Sequence, residues 1–217
     1  MSKHYWDEYQ NYFLDRNKMI EILKFYQKSV NVLPIIENVK LEQWKKNRFG
    51  KIHFSDIVIK KYYKEELSSG YRKIYDLLND KCATTELPLY MPLMVIWGKS
   101  EAIEQGIYSF NFREGLLIKC ADVEGNQEYK TVLSEGIKAE IAFFLCLEDS
   151  VIAYGMGGFI KGILQIGEIS QTIREKYGNM EKKVFTSFLS HSHSLNVNVQ
   201  KLLLIENIYL RSGWEKI

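Results

Sequence analysis

Three short apolar runs constrain the fold of this chain more than any other feature. Leu89 to Trp97 (LYMPLMVIW) and Ile137 to Leu147 (IKAEIAFFLCL) are nearly continuous in apolar residues, rich in branched and aromatic side chains. Their length and content predict buried strands, the second of them central. Lys201 to Leu210 (KLLLIENIYL) predicts the last strand. Between the first two, Ile107 to Phe112 alternates, Arg113-Glu114-Gly115 turns, and Leu116 to Lys119 resumes, so this pair predicts a hairpin.

Helical periodicity flanks the strands. Lys64 to Asn79 carries Leu67, Tyr71, Ile74 and Leu78 on one stripe. Ser55 or Asp56 is placed to cap a helix that follows. Near the start, Tyr5, Tyr9, Tyr12 and Phe13 recur at helical spacing, and Ile20, Leu23 and Tyr26 extend them to about Lys28. These aromatics read as one bent helix or two, packed on a core or a partner. Asn31 to Trp44, with Pro34, reads as a loop. The order is helix, helix, strand, hairpin, strand, long helix, strand. That predicts an α+β fold, a mixed sheet with helices packed on it, rather than a doubly wound α/β fold.

The long helix is the unusual element. From Ala153 to Lys176, Phe159, Ile163, Ile166, Ile169 and Ile173 form a helical stripe, yet Gly158, Gly162 and Gly167 interrupt it. Four of the 14 glycines of the chain fall between Gly155 and Gly162. An interior helical glycine costs about 1 kcal/mol against alanine. Their presence predicts close approach of another helix or a ligand.

Composition narrows the function class. The chain has 217 residues, of which 46% are hydrophobic and 13% aromatic, which excludes disorder and suits one sizeable core. Its expected organisation is a helical extension over residues 1–46 and a main domain over 47–217. A net charge of +2 leaves no electrostatic footprint for nucleic acid. No uncharged apolar run reaches the roughly 18 residues of a membrane span, and the start lacks an apolar secretory segment, so a cytoplasmic protein is expected. Cys82, Cys120 and Cys146 are widely spaced, and each reads as a small buried apolar residue rather than a disulfide half, a zinc ligand or a catalytic thiol. His191 and His193 would face one side of a strand, but no third ligand has a matching spacing. The serines and asparagines around them read as a polar loop, so no metal site is expected. His53 beside the basic run Lys45 to Lys51 reads as structural.

Several segments, in order, resemble the SagB/McbC-type azoline dehydrogenases. The first is Leu89-Tyr90-Met91-Pro92-Leu93-Met94-Val95-Ile96, then Gln105-Gly106-Ile107-Tyr108-Ser109-Phe110, which is similar to the family's strand, its linker and its Tyr-x-Tyr strand. The second is Ala153-Tyr154-Gly155, then Gly158-Phe159, Leu164, Gly167-Glu168 and Gln171-Thr172. The closing LLIENIYLRSG resembles the family's last strand, and Arg48 to Phe54 stands where the family has its arginine-rich "RRSxRxF" segment. Together these cover about three quarters of the chain.

The resemblance implies a nitroreductase-like fold, an intertwined dimer, and FMN-dependent oxidation of peptide azolines to azoles. It also implies roles. Arg48, Gly50, Lys51, Thr85 and Gln171 would hold FMN, and Tyr154 would be the base that removes the ring proton. The departures fall on that chemistry. The family's last arginine is Ile52 here, and its glycine-rich flavin loop reads Thr85-Glu86-Leu87-Pro88-Leu89. The lysine of its catalytic Lys-Tyr pair is Ala153, and the asparagine after the glutamine is Thr172. A second Lys176-Tyr177-Gly178 suits the motif worse. Without the ammonium, Tyr154 lacks what lowers a tyrosine's pKa.

The leading expectation is therefore a pseudoenzyme-like subunit with reduced or lost flavin chemistry. It would scaffold or bind peptide in a ribosomal-peptide (RiPP) modifying assembly, as a homodimer or with other maturation subunits. The alternative is an active FMN-dependent dehydrogenase with an unusual cofactor site. A third reading is a generic α+β interaction protein whose likeness to the family is coincidental.

Overall fold

The structure is a computed structural model that describes residues 58–85, 87–98, 100, 102–123, 134, 136–177, 184–187, 202–211 and 214, with Lys24 alone before them. The expected N-terminal helices, the basic run, the caps at Ser55 and Asp56, and His53, His191 and His193 lie outside these residues. So does the proposed extension over 1–46, apart from Lys24.

The strands are β1 (Lys60–Tyr63), β2 (Tyr90–Ile96), β3 (Gly106–Asn111), β4 (Leu116–Ala121), β5 (Ile137–Cys146), β6 (Val184–Ser187) and β7 (Leu202–Arg211). The helices are α1 (Ser69–Thr84), α2 (Leu147–Tyr154) and α3 (Met156–Tyr177). The strands form one seven-stranded sheet in the order β1-β4-β3-β2-β5-β7-β6. The α+β arrangement expected of the sequence is present, although the strand pairing is not mixed. Every described ladder is antiparallel.

The apolar runs of β2 and β5 are explained by their place at the sheet's centre. They pair with each other along seven residues, Tyr90↔Leu145 to Ile96↔Ala139, and are buried nearly throughout. One face, including Met94, Phe110, Ile141, Phe143 and Ile208, packs with Tyr71, Ile74 and Leu78 of α1 and Ile166, Ile169 and Ile173 of α3. The opposite face, with Leu93, Val95, Trp97, Phe144 and Tyr209, is also buried, though no described helix contributes to it. On that face the Trp97 indole N–H donates to the Glu140 carboxylate at 2.9 Å. Pro92 stands just before the β2–β3 ladder begins at Leu93, where β2 has β5 as its paired neighbour. There its missing N–H is tolerated.

Three details correct the expected elements. The first helix begins at Ser69, because Lys64–Glu66 form a 3-10 turn in which the Tyr63 N–H donates to the Glu66 carboxylate at 2.8 Å. The third apolar run ends as a strand at Cys146 and continues as α2, with the Ser150 hydroxyl donating to the Cys146 carbonyl at 2.6 Å. The long helix is not continuous from Ala153. Gly155 adopts φ 59, ψ −143, which breaks the chain between α2 and α3. That backbone is open to glycine and strained for other residues. The β3–β4 turn likewise uses Gly115 at φ 68.

The three cysteines are free and buried, as the sequence suggested. Among the described residues no group of acidic, histidine and cysteine side chains is placed to hold a metal ion, and no helix is long and apolar enough to cross a membrane.

Candidate functional site

Three of the six expected site residues are described, and no hydrogen bond joins any two of them. Thr85 terminates α1. Its hydroxyl donates to the Lys81 carbonyl at 2.6 Å and its N–H to the same oxygen at 2.9 Å, so both donors close the helix. Gln171 lies on the exposed side of α3, and its amide donates to Glu175 one turn on at 2.7 Å. Tyr154 ends α2 with its ring buried, 2% exposed, and its hydroxyl meets no hydrogen-bond partner. Arg48, Gly50 and Lys51 lie outside the described residues.

Sequence reasoning passed over Lys161. Its ammonium sits 4.0 Å from the centroid of the Tyr154 ring, a cation–π contact reaching back from α3 to α2. Ala153, next to Tyr154, carries no charge, and the cation against the ring face comes from further along the chain.

Gln165 was also missed. Its side-chain oxygen accepts from the Leu89 N–H and its amide donates to the Leu87 carbonyl, both at 2.9 Å. The segment that should correspond to a glycine-rich flavin loop is therefore fastened to α3 through its own main chain. Leu87 and Leu89 are fully buried. Tyr90, next along, has its ionisation pushed well above the ordinary tyrosine range, first by burial and then by nearby Cys82, whose sulfur lies 3.6 Å from the hydroxyl. It is a poor base. The described part of the expected cofactor site does not fit FMN. Thr85 has no donor left for a phosphate, the Leu87 carbonyl and the Leu89 N–H and carbonyl are already paired, and the Tyr154 hydroxyl is enclosed by the core.

A concave site does exist, further along α3. An open groove of about 600 Å³ lies between α3 and β7, lined by Ile163, Leu164, Gly167, Glu168, Gln171, Arg174, Ile205 and Glu206. A β-bulge shapes it. Phe143 pairs with Glu206 and Phe144 with Leu204, which leaves Ile205 as the extra residue. Leu204 belongs to the far face of the sheet while Ile205 packs on the helix side. The bulge thus turns both Ile205 and Glu206 toward the groove, the re-aiming that bulges commonly supply. Glu206 is only 4% exposed and its Oε1 has no hydrogen-bond partner. At the rim Glu168 accepts from Lys81 at 2.9 Å. Gln171 lines this groove. The polar pair Glu206-Asn207 inside the otherwise apolar LLLIENIYL was the signal available in the sequence.

No protein-family model matches the chain, and no curated protein matches it. Among solved structures, a putative nitroreductase from Anabaena variabilis matches over 82% of this chain and 37% of its own length, at 12% identity and TM-score 0.48. The Escherichia coli microcin synthetase McbBCD complex, solved with truncated pro-MccB17 bound, matches over 93% and 95% respectively, at 10% identity and TM-score 0.45. This chain therefore spans well under half the length of the first.

Proposed function

We propose that this chain is a nitroreductase-like subunit of a ribosomal-peptide modifying assembly, with reduced or lost flavin chemistry and a scaffolding or peptide-binding role. It works as a homodimer or beside other maturation subunits in the cytoplasm. The observation that carries this reading is the clamp by Gln165 on Leu87 and Leu89. Main-chain groups that a flavin loop would keep open are here bonded within the fold, and Thr85 is engaged in a helix cap. A visible absorbance spectrum of the purified chain, after incubation with FMN and desalting, is expected to show no flavin bands. Stoichiometric flavin absorbance would overturn the reading.

One observation favours the second reading, an active FMN-dependent dehydrogenase of peptide azolines. Lys161 supplies a cation at Tyr154 despite the loss of the adjacent lysine. On that reading Tyr154→Phe abolishes azoline oxidation and leaves flavin binding unchanged. Oxidation that survives the substitution rejects it.

A further inference from the structure

The groove between α3 and β7 holds a carboxylate that has no ion-pair partner among the described residues. Glu206 is 4% exposed, its Oε1 is buried, and among the described residues it makes no hydrogen bond or ion pair. Taking an ionised group out of water without a partner is costly, so buried charges are ordinarily paired. The cation that lines the same groove, Arg174, is exposed and makes no ion pair with Glu206. The rim glutamate, Glu168, is already satisfied by Lys81. Of the two glutamates described in the groove, Glu206 is the one without a partner.

Gly167 adds an independent observation. It lines the groove from the middle of α3, and a Cβ built there would meet nothing within 4 Å. Gly158 and Gly162 are different, since a Cβ on either would collide with Ser150 or Leu145. No packing inside the fold requires glycine at 167, where alanine would favour the helix by about 1 kcal/mol. A glycine retained against propensity over open space suits the close approach of something outside the chain. The remaining walls, Ile163, Leu164 and Ile205, are apolar, and Leu164 is 67% exposed.

We infer that this groove receives a lysine side chain of a bound peptide, its ammonium on Glu206 and its methylene stem across Gly167 and the Ile163–Leu164–Ile205 wall. A long aliphatic stem ending in a cation matches an apolar wall ending in a buried anion. The inference rests on the peptide-binding reading above for the source of the amine, and it goes beyond that reading in naming the residue recognised and the place.

The test is an equilibrium titration of the full chain with two capped tripeptides, acetyl-Gly-Lys-Gly-amide and the same peptide with norleucine in place of lysine. The lysine peptide is expected to bind about tenfold tighter or better. Glu206→Gln should bring the two to equal affinity, with its melting temperature checked to show that it folds. Gly167→Ala should weaken binding of the lysine peptide while raising the melting temperature, so that loss of binding is not loss of fold. Equal affinity of the two peptides for the unaltered chain overturns the inference, as does a preference for lysine that survives Glu206→Gln. Flavin found on the purified chain would defeat the reading above and leave this titration informative. Equal affinities would defeat this inference and leave that reading in place.

Discussion

The two halves of α3 carry glycines for opposite reasons. In the first half, Gly158 stands against the main chain of Ser150 and Gly162 against Leu145 and Leu89, so each absent side chain is a contact made. In the second half, Gly167 faces open space in the groove wall. The glutamines divide similarly. Gln165 holds Leu87 and Leu89 within the fold, while Gln171 lies on the surface and bonds only to its own helix. One helix thus serves as a packing element at its start and as the wall of a binding surface toward its end. A helical glycine has no single meaning. What its missing Cβ would touch decides whether it serves the core or a ligand.

The sharpest way to break this contrast is Gly158→Ala. The added carbon meets backbone, which cannot move aside as a side chain can, so α2 and α3 must separate. A loss of about 3 kcal/mol is expected, at the upper end of overpacking effects, measured by urea unfolding. An unchanged midpoint would show that the close approach is not needed. Gln165→Ala follows, at about 2 kcal/mol. It leaves the Leu89 N–H and Leu87 carbonyl without these partners on two buried residues. If FMN binding appears in that variant, the clamp is what keeps the loop closed. Gly162→Ala should lose about 1.5 kcal/mol by the same measure, less than Gly158→Ala, because the colliding group is the flexible Leu145 side chain.

Five of the seven strands were legible to within a residue or two from their apolar or alternating runs, while β1 and β6, four residues each, were not. The stripe of Leu67, Tyr71, Ile74 and Leu78 was legible for the same kind of reason, and all four are buried. What failed was governed by contacts remote in sequence. β1 (KKYY) carries little apolar signal, since it is an edge strand held by Leu116–Lys119. α2 follows β5 with no glycine or proline to mark the change. The site was harder still. The bulge that turns Glu206 into the groove depends on the register between β5 and β7, which no local pattern encodes. The resemblance to a flavoprotein family directed the reading to α3 and to the loop at Thr85. Gln165, a residue outside every matched motif, bonds the Leu89 N–H and the Leu87 carbonyl beside that loop, a contact that no local pattern encodes.

The smallest expected effect separates the two halves most cleanly. Gly167→Ala should stabilise the chain by about 0.5 to 1 kcal/mol, because alanine restricts the unfolded backbone and has no neighbour to strike. It is thus opposite in sign to Gly158→Ala on the same helix. Thermal unfolding of the two single variants and of the double variant measures it. The sites are nine residues apart in sequence and their surroundings differ, so the two effects should add. A destabilising Gly167→Ala would mean that the groove is closed in solution by part of the chain itself. Glycine at 167 would then be a packing residue like the others, and the comparison would collapse to one role for the whole helix. A stabilising one, combined with weaker binding of the lysine peptide, is the pattern of a residue kept for what docks against it rather than for the fold.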